Sequence, residues 1–212
     1  MKKKIGVVRF PGTNCDRDVL EMAQAKDFDA QYLWHLDQFQ VAAYEALILP
    51  GGFSYGDYLR SGALSARSPV MNSVREFANK GGPVLGICNG FQILTEAGLI
   101  PGALVKNESR RFNDDWVDLE VQNPHGYFGK SLKGVVKLPV AHGDGRYFAP
   151  ADELKRLHDQ GQVWLKYKIN PNGSLMDIAG VFNERKNVAA LMPHPERALY
   201  GWMGGTDGWS FL

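Results

Sequence analysis

Short apolar runs alternate with amphipathic segments along the first half of the chain. Residues 5–10, 30–34, 46–49 and 84–87 are rich in aliphatic side chains, which is typical of strands buried in a parallel sheet. Apolar residues at helical spacing follow the first and third runs, and another helix is expected directly after the fourth. This order of elements predicts an α/β fold with a doubly wound, mostly parallel sheet and helices on both faces.

Asn14 and Ser68 stand at the predicted starts of the first two helices. Both residue types cap helices because their side chains accept a backbone hydrogen bond, and Pro69 suits a first helical position. We therefore expect these two helices to begin with side-chain caps at Asn14 and Ser68.

The pattern changes beyond about residue 100, where long helices no longer separate the apolar runs. Such strands need not be parallel, and the turn signal Asn-Pro-Asn-Gly at 170–173 predicts a hairpin between the runs that flank it. No internal repeat, low-complexity linker or second domain boundary is visible, so we interpret residues 1–212 as a single domain. The predicted elements are strands over 116–121, 135–140, 163–169, 178–182 and 188–192 and a short helix over 152–160.

The charge balance argues against a nucleic acid or a membrane surface as the main partner. Lysine and arginine number 24 against 23 aspartates and glutamates, which gives a formal net charge of +1. No apolar stretch approaches the roughly 20 residues of a membrane span, and no apolar leader precedes the first strand. The two cysteines, Cys15 and Cys88, imply no disulfide framework, so a cytoplasmic protein is expected.

Cys88 lies at the centre of a Gly-x-Cys-x-Gly pattern, between a predicted strand and a predicted helix. This is the arrangement of a nucleophile elbow, with sulfur in place of the serine oxygen. Gly86 and Gly90 allow close backbone approach, and the positive end of the helix that starts at Asn89 favours a thiolate. Cys88 is therefore a candidate nucleophile, with a buried structural cysteine in a tight turn as the alternative.

A thiolate nucleophile needs a base and a group that orients the base, and Pro-His-Pro-Glu at 193–196 supplies both. The prolines favour extended backbone at His194, and residues i and i+2 of an extended chain point the same way. Glu196 is therefore expected to reach one ring nitrogen of His194 and to leave the other facing Cys88. By itself the motif would more often be a surface turn, but the apolar strand before it favours a catalytic pair.

An oxyanion hole requires backbone N–H groups directed at the reacting carbonyl. The N–H of Asn89 is one candidate. The loop 50–53 offers a second, because the glycines Gly51 and Gly52 let a peptide approach the substrate closely. A simple strand-ending turn is the alternative interpretation of these glycines.

Taken together, Pro-Gly-Gly after the third strand, Gly-x-Cys-x-Gly-x-Gln and His-Pro-Glu resemble the class I (triad) glutamine amidotransferase family over essentially the whole chain. Longer motifs at 10–16, 51–63, 141–146 and 193–197 are similar to the glutaminase subunits of the phosphoribosylformylglycinamidine synthase family. Asp144 departs mildly from the glutamate expected at its position. The resemblance implies a flavodoxin-like sheet with extra antiparallel strands in the second half.

The resemblance also implies roles for the matched residues. Cys88 attacks the side-chain amide carbon of glutamine, His194 accepts a proton and later returns it to the departing ammonia, and Glu196 holds the His194 tautomer. Hydrolysis of the resulting thioester gives glutamate. The residues that the resemblance assigns to oxyanion stabilisation and glutamine binding are Gly52, Asn89 and Gln92.

By the same resemblance, the ammonia passes to a synthetase subunit (PurL), with a small subunit (PurS) in the same complex. PurL would use ATP and magnesium to convert formylglycinamide ribonucleotide to its amidine in purine synthesis. The same resemblance implies no cofactor on this chain. We also expect no metal, because His142, Asp144 and His194 lack the close spacing of metal ligands. The loops 57–63 and 142–146 are expected at the rim of the site, where they meet the synthetase, shape the ammonia exit or merely form turns.

Two alternatives remain open at this stage. One is a cysteine hydrolase or peptidase on the same scaffold, against which the long family-specific loops argue. The other is a catalytically silent regulatory subunit, against which intact Cys88, His194 and Glu196 argue. Cys15 has no flanking glycines and no matched histidine, so we interpret it as structural, although the resemblance puts its loop near the site.

Overall fold

The computed structural model describes residues 2–212, which contain eleven strands and four α-helices. The strands are β1 (Lys4–Arg9), β2 (Asp29–Trp34), β3 (Ala46–Leu49), β4 (Val84–Ile87), β5 (Ala103–Val105), β6 (Asn113–Val121), β7 (Val135–His142), β8 (Arg146–Phe148), β9 (Val163–Tyr167), β10 (Ile178–Phe182) and β11 (Val188–Leu191). The helices are α1 (Asp16–Ala25), α2 (Val70–Asn79), α3 (Asn89–Glu96) and α4 (Ala151–Asp159).

Nine of the described strands form one mixed sheet in the order β2-β1-β3-β4-β11-β10-β9-β6-β7. The pairs from β2 through β11 are parallel, and the four pairs beyond β11 are antiparallel. The predicted α/β fold, with extra antiparallel strands in the second half, is confirmed. Because β11 joins β4 in parallel, the chain that follows β11 emerges beside the turn that carries Cys88.

The centre of the sheet is apolar because its strands are covered on both faces. Every residue of β3, β4 and β11 is buried. Helix α2 covers the sheet with a stripe of apolar side chains that includes Val70, Val74 and Phe77, each of which contributes about 1.5–3 kcal/mol when buried. Within residues 2–212, none of the helices has both the length and the apolar character needed to cross a bilayer.

Neither predicted side-chain cap forms among the described residues. Cys15 occupies the N-cap position of α1, and Asn14 Oδ1 instead accepts from the Cys15 thiol at 3.3 Å. Pro69 precedes α2, and Ser68 Oγ lies 3.1 Å from the Tyr55 hydroxyl. The two caps are therefore wrong predictions, because neighbouring loop groups take up both polar side chains.

Strands β9 and β10 pair antiparallel as predicted, but no tight hairpin turn joins them. The connection spans residues 168–177, where Asn170 Oδ1 accepts the N–H of Gly173 at 2.8 Å. Asn172 is buried in this loop and approaches His142, with 3.5 Å between Asn172 Nδ2 and His142 Nε2. The turn residues therefore support the loop that follows β7, at the edge of the sheet where Cys88 lies.

Candidate active site

Cys88 lies at the turn between β4 and α3 with a φ of 50° and a ψ of −105°. Residues other than glycine rarely adopt a positive φ, and such strain persists only where the surroundings hold it. The Cys88 N–H donates to the Leu191 carbonyl at 2.8 Å, which ties the turn to β11. A Cβ at Gly86 would lie 2.8 Å from the carbonyl oxygen of Gly90. The end of β4 and the start of α3 can therefore pack this closely only because Gly86 has no side chain.

His194 and Glu196 lie in the segment directly after β11. His194 Nδ1 is 2.6 Å from Glu196 Oε1, and both side chains are buried. The backbone of His194 is extended, but residues Pro195–Arg197 form a 3-10 turn, for which proline at the first position is well suited. The expected contact is therefore present and His194 is extended as predicted, but the chain does not stay extended as far as Glu196, whose carboxylate reaches the ring across a turn.

The second ring nitrogen of His194, Nε2, is buried and has no hydrogen-bond partner among residues 2–212. Burial lowers the pKa of His194, but the Glu196 carboxylate and then Cys88 raise this pKa well above its ordinary value of 6.5. A Cβ at Gly51 would lie 2.7 Å from His194 Cε1 and 3.4 Å from Cys88 Cβ. The imidazole and the thiol therefore flank the same small space, and the imidazole has a raised affinity for a proton.

Cys15 is a second sulfur beside the same imidazole. Its Sγ lies 4.0 Å from His194 Nδ1 and accepts from Arg197 Nη2 at 3.2 Å. Burial raises the pKa of the Cys15 thiol, which favours its neutral form. Cys15, His194 and Glu196 carry metal-ligand atoms within 4.8 Å of one another, but the Arg197 guanidinium against the sulfur disfavours a cation there.

Gly52 and Asn89 each bring a backbone N–H to the neighbourhood of Cys88. The Gly51 carbonyl accepts the Cys15 N–H at 3.2 Å, and because the peptide is planar and trans, the Gly52 N–H points the opposite way. Gly52 has a φ of 145°, and a Cβ there would lie 2.8 Å from Thr13 Cα, so only glycine fits. The Asn89 N–H belongs to the first turn of α3, where N–H groups lack intrahelical partners.

A cavity of about 140 Å³ opens over Cys88, with Gly52 and Gln92 also in its wall. Asn89, His194 and Glu196 are not part of its lining but are buried. Four larger cavities elsewhere on the described surface contain none of the six predicted site residues. The residues that line this cavity are Gly52, Phe53, Asp57, Ser61, Cys88, Gln92, Phe112, Ala141, His142, Gly143 and Asp144.

Asn89 and Gln92 connect α3 to two loops around the cavity, one carrying Ser54 and the other Asp144. Asn89 Oδ1 accepts the Ser54 N–H at 3.2 Å, and Asn89 Nδ2 donates to Gln92 Oε1 at 2.8 Å. Gln92 Nε2 in turn donates to the Asp144 carbonyl at 2.8 Å. The side chain of Gln92 is therefore held against the cavity wall rather than in solvent.

The loop after β7 is supported by buried polar groups that the sequence motifs did not reveal. His142 Nδ1 lies 3.1 Å from Asn107 Oδ1, and Asn172 Nδ2 donates to the Gly145 carbonyl at 2.9 Å. Burial lowers the pKa of His142 to about 4, so the ring is neutral near pH 7. The Ala141 carbonyl accepts from the Cys88 thiol at 3.7 Å, which makes this loop part of the cavity wall.

Comparisons with known proteins extend this picture. Residues 2–207 match the family model of the CobB/CobQ-like glutamine amidotransferase domain. The chain is 53% identical over 207 residues to phosphoribosylformylglycinamidine synthase subunit PurQ of Prochlorococcus marinus (strain MIT 9312), covering 96% of this chain and 93% of that protein. It is 47% identical over 223 residues to PurQ of Aquifex aeolicus (strain VF5), covering 97% and 95%.

Solved structures give the same result for the fold. The structure of PurLQS from Thermotoga maritima contains a chain with a TM-score of 0.91 and 45% identity, and the match covers 99% of this chain and 95% of that one. A glutamine amidotransferase from Thermotoga maritima, with a TM-score of 0.64 and 16% identity, shares the fold alone.

Proposed function

The chain belongs to the CobB/CobQ-like glutamine amidotransferase family, and on that premise we propose that it is the glutaminase subunit of a phosphoribosylformylglycinamidine synthase. In this role it hydrolyses glutamine and supplies ammonia to a carbon–nitrogen ligase of purine synthesis. Residues 1–212 act as one amidotransferase domain. The observation that carries the proposal is the buried pair of His194 and Glu196 beside Cys88, which opens to the cavity.

In the proposed reaction, Cys88 Sγ attacks the side-chain amide carbon of glutamine while its proton passes to His194. The raised pKa of His194 favours this transfer. The imidazolium then protonates the leaving nitrogen, ammonia departs, and a glutamyl thioester remains on Cys88. His194 next accepts a proton from water as the water attacks the thioester. The C–S bond then breaks, glutamate is released, and the imidazolium returns the proton to the sulfur, which restores the thiol.

The negative charge that develops on the amide oxygen requires donors that are already oriented before the reaction. We assign this task to the N–H groups of Gly52 and Asn89, and the loss of one such donor typically costs about 10²–10³-fold in rate. The orientation of the Gly51–Gly52 peptide and the position of Asn89 in the first turn of α3 support the assignment. Gln92 binds the glutamine substrate in the cavity.

The ammonia is used on a partner. We propose a synthetase subunit (PurL), which carries the ATP and magnesium, and a small subunit (PurS) in the same complex. The likeness to a chain of the PurLQS structure supports this assembly. A cytoplasmic location is part of the proposal, and the free thiols of Cys15 and Cys88 fit a reducing compartment.

Reconstitution with the synthetase and Cys88→Ala tests the proposal. The variant complex should lose synthesis of the amidine from glutamine but retain synthesis from added ammonia, because only the thiol of the glutaminase is removed. Retained use of glutamine would contradict the role of Cys88. A wild-type complex that failed to release glutamate from glutamine would instead favour a different cysteine hydrolase or a silent subunit.

A further inference from the structure

The side chain of Asn89 joins two elements whose relative position matters for the proposed reaction. It is only 1% exposed, and its Oδ1 accepts the backbone N–H of Ser54 at 3.2 Å. Ser54 follows Gly52 by two residues, and Asn89 itself opens α3 directly after Cys88. The Asn89 side chain therefore links the loop after β3 to the turn that carries the nucleophile.

The backbone N–H groups of residues 53–55 hold the loop after β3 from two sides. The Phe53 N–H donates to the Gly12 carbonyl at 3.0 Å, in the loop after β1. The Tyr55 N–H donates to the Pro11 carbonyl at 2.7 Å, in the same loop. The Ser54 N–H lies between these two donors in the sequence but is directed at α3. Asn89 therefore supplies the hold on the side of the nucleophile.

The segment directly beyond Ser54 has a backbone that needs such support. Tyr55 has a φ of 53° and Asp57 a φ of 54°, values that residues other than glycine rarely adopt. Strain of this kind persists only where neighbouring groups hold it. The Tyr55 hydroxyl, 2.7 Å from His35 Nδ1, fixes the middle of the segment, and the hydrogen bond from Ser54 to Asn89 fixes its start. Loss of that bond would allow the strained backbone to relax and to displace the neighbouring peptides.

Close packing already sets the distance between the two elements at their base. A Cβ at Gly90 would overlap the carbonyl oxygen of Leu49, so the first turn of α3 rests on the end of β3. Gly52 lies three residues beyond Leu49. The separation of the loop from α3 is therefore set before Gly52 by packing and after it by the hydrogen bond between Ser54 and Asn89.

We propose that Asn89, through its side chain, is a positioning residue that holds the backbone N–H groups of Gly52 and Asn89 at the separation an oxyanion requires. The inference rests on the proposed function, which assigns those two N–H groups to the oxyanion. Stabilisation of this kind depends on donors that are oriented before the reaction. Because Ser54 and Asn89 are both buried, removal of the amide would leave the Ser54 N–H without a partner.

The two ends of the Asn89 amide lead to effects that can be separated. Oδ1 accepts from Ser54, whereas Nδ2 donates at 2.8 Å to Oε1 of Gln92, the residue assigned to glutamine binding. Ser54→Pro removes only the N–H that Oδ1 accepts, and proline suits the first position of the 3-10 turn Ser54–Asp57. Asn89→Ala removes both contacts.

The test measures glutamine-dependent synthesis by reconstituted complexes that carry Ser54→Pro, Asn89→Ala or both. We expect kcat to fall at least about ten-fold in each single variant, because the oxyanion donors are misplaced. KM should stay within about three-fold of wild type in Ser54→Pro and rise at least about five-fold in Asn89→Ala, which also frees Gln92. The double variant should have a kcat within about three-fold of Asn89→Ala, since both changes remove the same hydrogen bond.

Alkylation of Cys88 by iodoacetamide separates this role from a general disturbance of the site. The thiolate displaces iodide and forms a C–S bond, so no oxyanion develops. We expect the alkylation rate of the Cys88 peptide, followed by mass spectrometry, to stay within about three-fold of wild type in both single variants. Asn187→Ala is the matched control, because its amide donates to the carbonyls of Ala78 and Gly82 at 2.9 Å, at the opposite end of β11 from Cys88. Its kcat should stay within about three-fold of wild type.

A kcat within about three-fold of wild type in an assembled Ser54→Pro or Asn89→Ala complex would overturn the positioning role. A fall in Cys88 alkylation that matches the fall in kcat, or an equal fall of kcat in Asn187→Ala, would overturn it as well. Where one of the two variants does not assemble with the synthetase, the other decides. A wild-type complex that does not turn over glutamine contradicts the proposed function itself, whereas wild-type turnover with an unchanged kcat in the variants contradicts the positioning role alone.

Discussion

Replacing Gly51 with alanine tests whether close packing sets the position of the His194 ring. A Cβ at this position would lie 2.7 Å from His194 Cε1 and 3.1 Å from Cys15 Sγ. Carbon atoms in contact are optimally separated by about 3.5–4.0 Å, so the ring has to move by roughly 1 Å or the loop has to shift instead. Either movement changes the space that the imidazole shares with the Cys88 thiol.

A displacement of this size in a reacting group costs on the order of 10²-fold in rate. We therefore expect Gly51→Ala to reduce glutamine-dependent synthesis by roughly 30–100-fold, mainly through kcat, and to leave ammonia-dependent synthesis unchanged. Overpacking should also lower the free energy of unfolding by about 1–3 kcal/mol, which chemical denaturation measures. Gly201→Ala is the control, because a Cβ there meets nothing within 4 Å. A folded Gly51→Ala variant with activity within about three-fold of wild type would refute the packing argument.

The electrostatics of the site lead to three further predictions. Glu196→Gln removes the carboxylate that raises the pKa of His194. An NMR titration of the ring should therefore show this pKa falling toward or below 6.5. An unchanged pKa would contradict the role given to Glu196. Glutamine hydrolysis should fall by about 10²–10⁴-fold in the same variant. The folded-state pKa of Asp57 is raised from 3.8 to about 6, so its contribution to stability is present below pH 3.8 and is lost as the pH rises through about 6. Urea denaturation should therefore find Asp57→Asn more stable than wild type at about pH 8, by on the order of 1 kcal/mol after allowance for its solvent exposure, with a smaller difference at about pH 5. No difference at the higher pH would argue against a cost of burying the Asp57 carboxylate beside that of Asp144.

The elements near the nucleophile could be predicted because their signals are local. Strands β3 and β4 are buried on both faces, so their sequences are continuously apolar, and their predicted bounds agree with the structure. The Gly-x-Cys-x-Gly turn is likewise local, since Gly86 meets the backbone of Gly90 only four residues later. Patterns of this kind depend on neighbours in the sequence and survive without knowledge of the tertiary fold.

The remaining features of the site depend on contacts between distant residues. Cys15 and His194 are 179 positions apart, and His142 and Asn107 are 35 positions apart, so no periodicity links either pair. The predicted cap at Ser68 failed for the same reason, because the Tyr55 hydroxyl takes up that side chain. A polar residue requires a partner when it is buried, but only the packing of the chain decides which partner it receives.

The proposed mechanism depends above all on Cys88 carrying the glutamyl group during turnover. Acid quenching of the reconstituted complex during turnover of glutamine, followed by mass spectrometry of its peptides, tests this step most directly. We expect a glutamyl adduct on the peptide that contains Cys88 and its absence in Cys88→Ala. An adduct on Cys15, the other free thiol, or turnover of glutamine by Cys88→Ala, would contradict the mechanism.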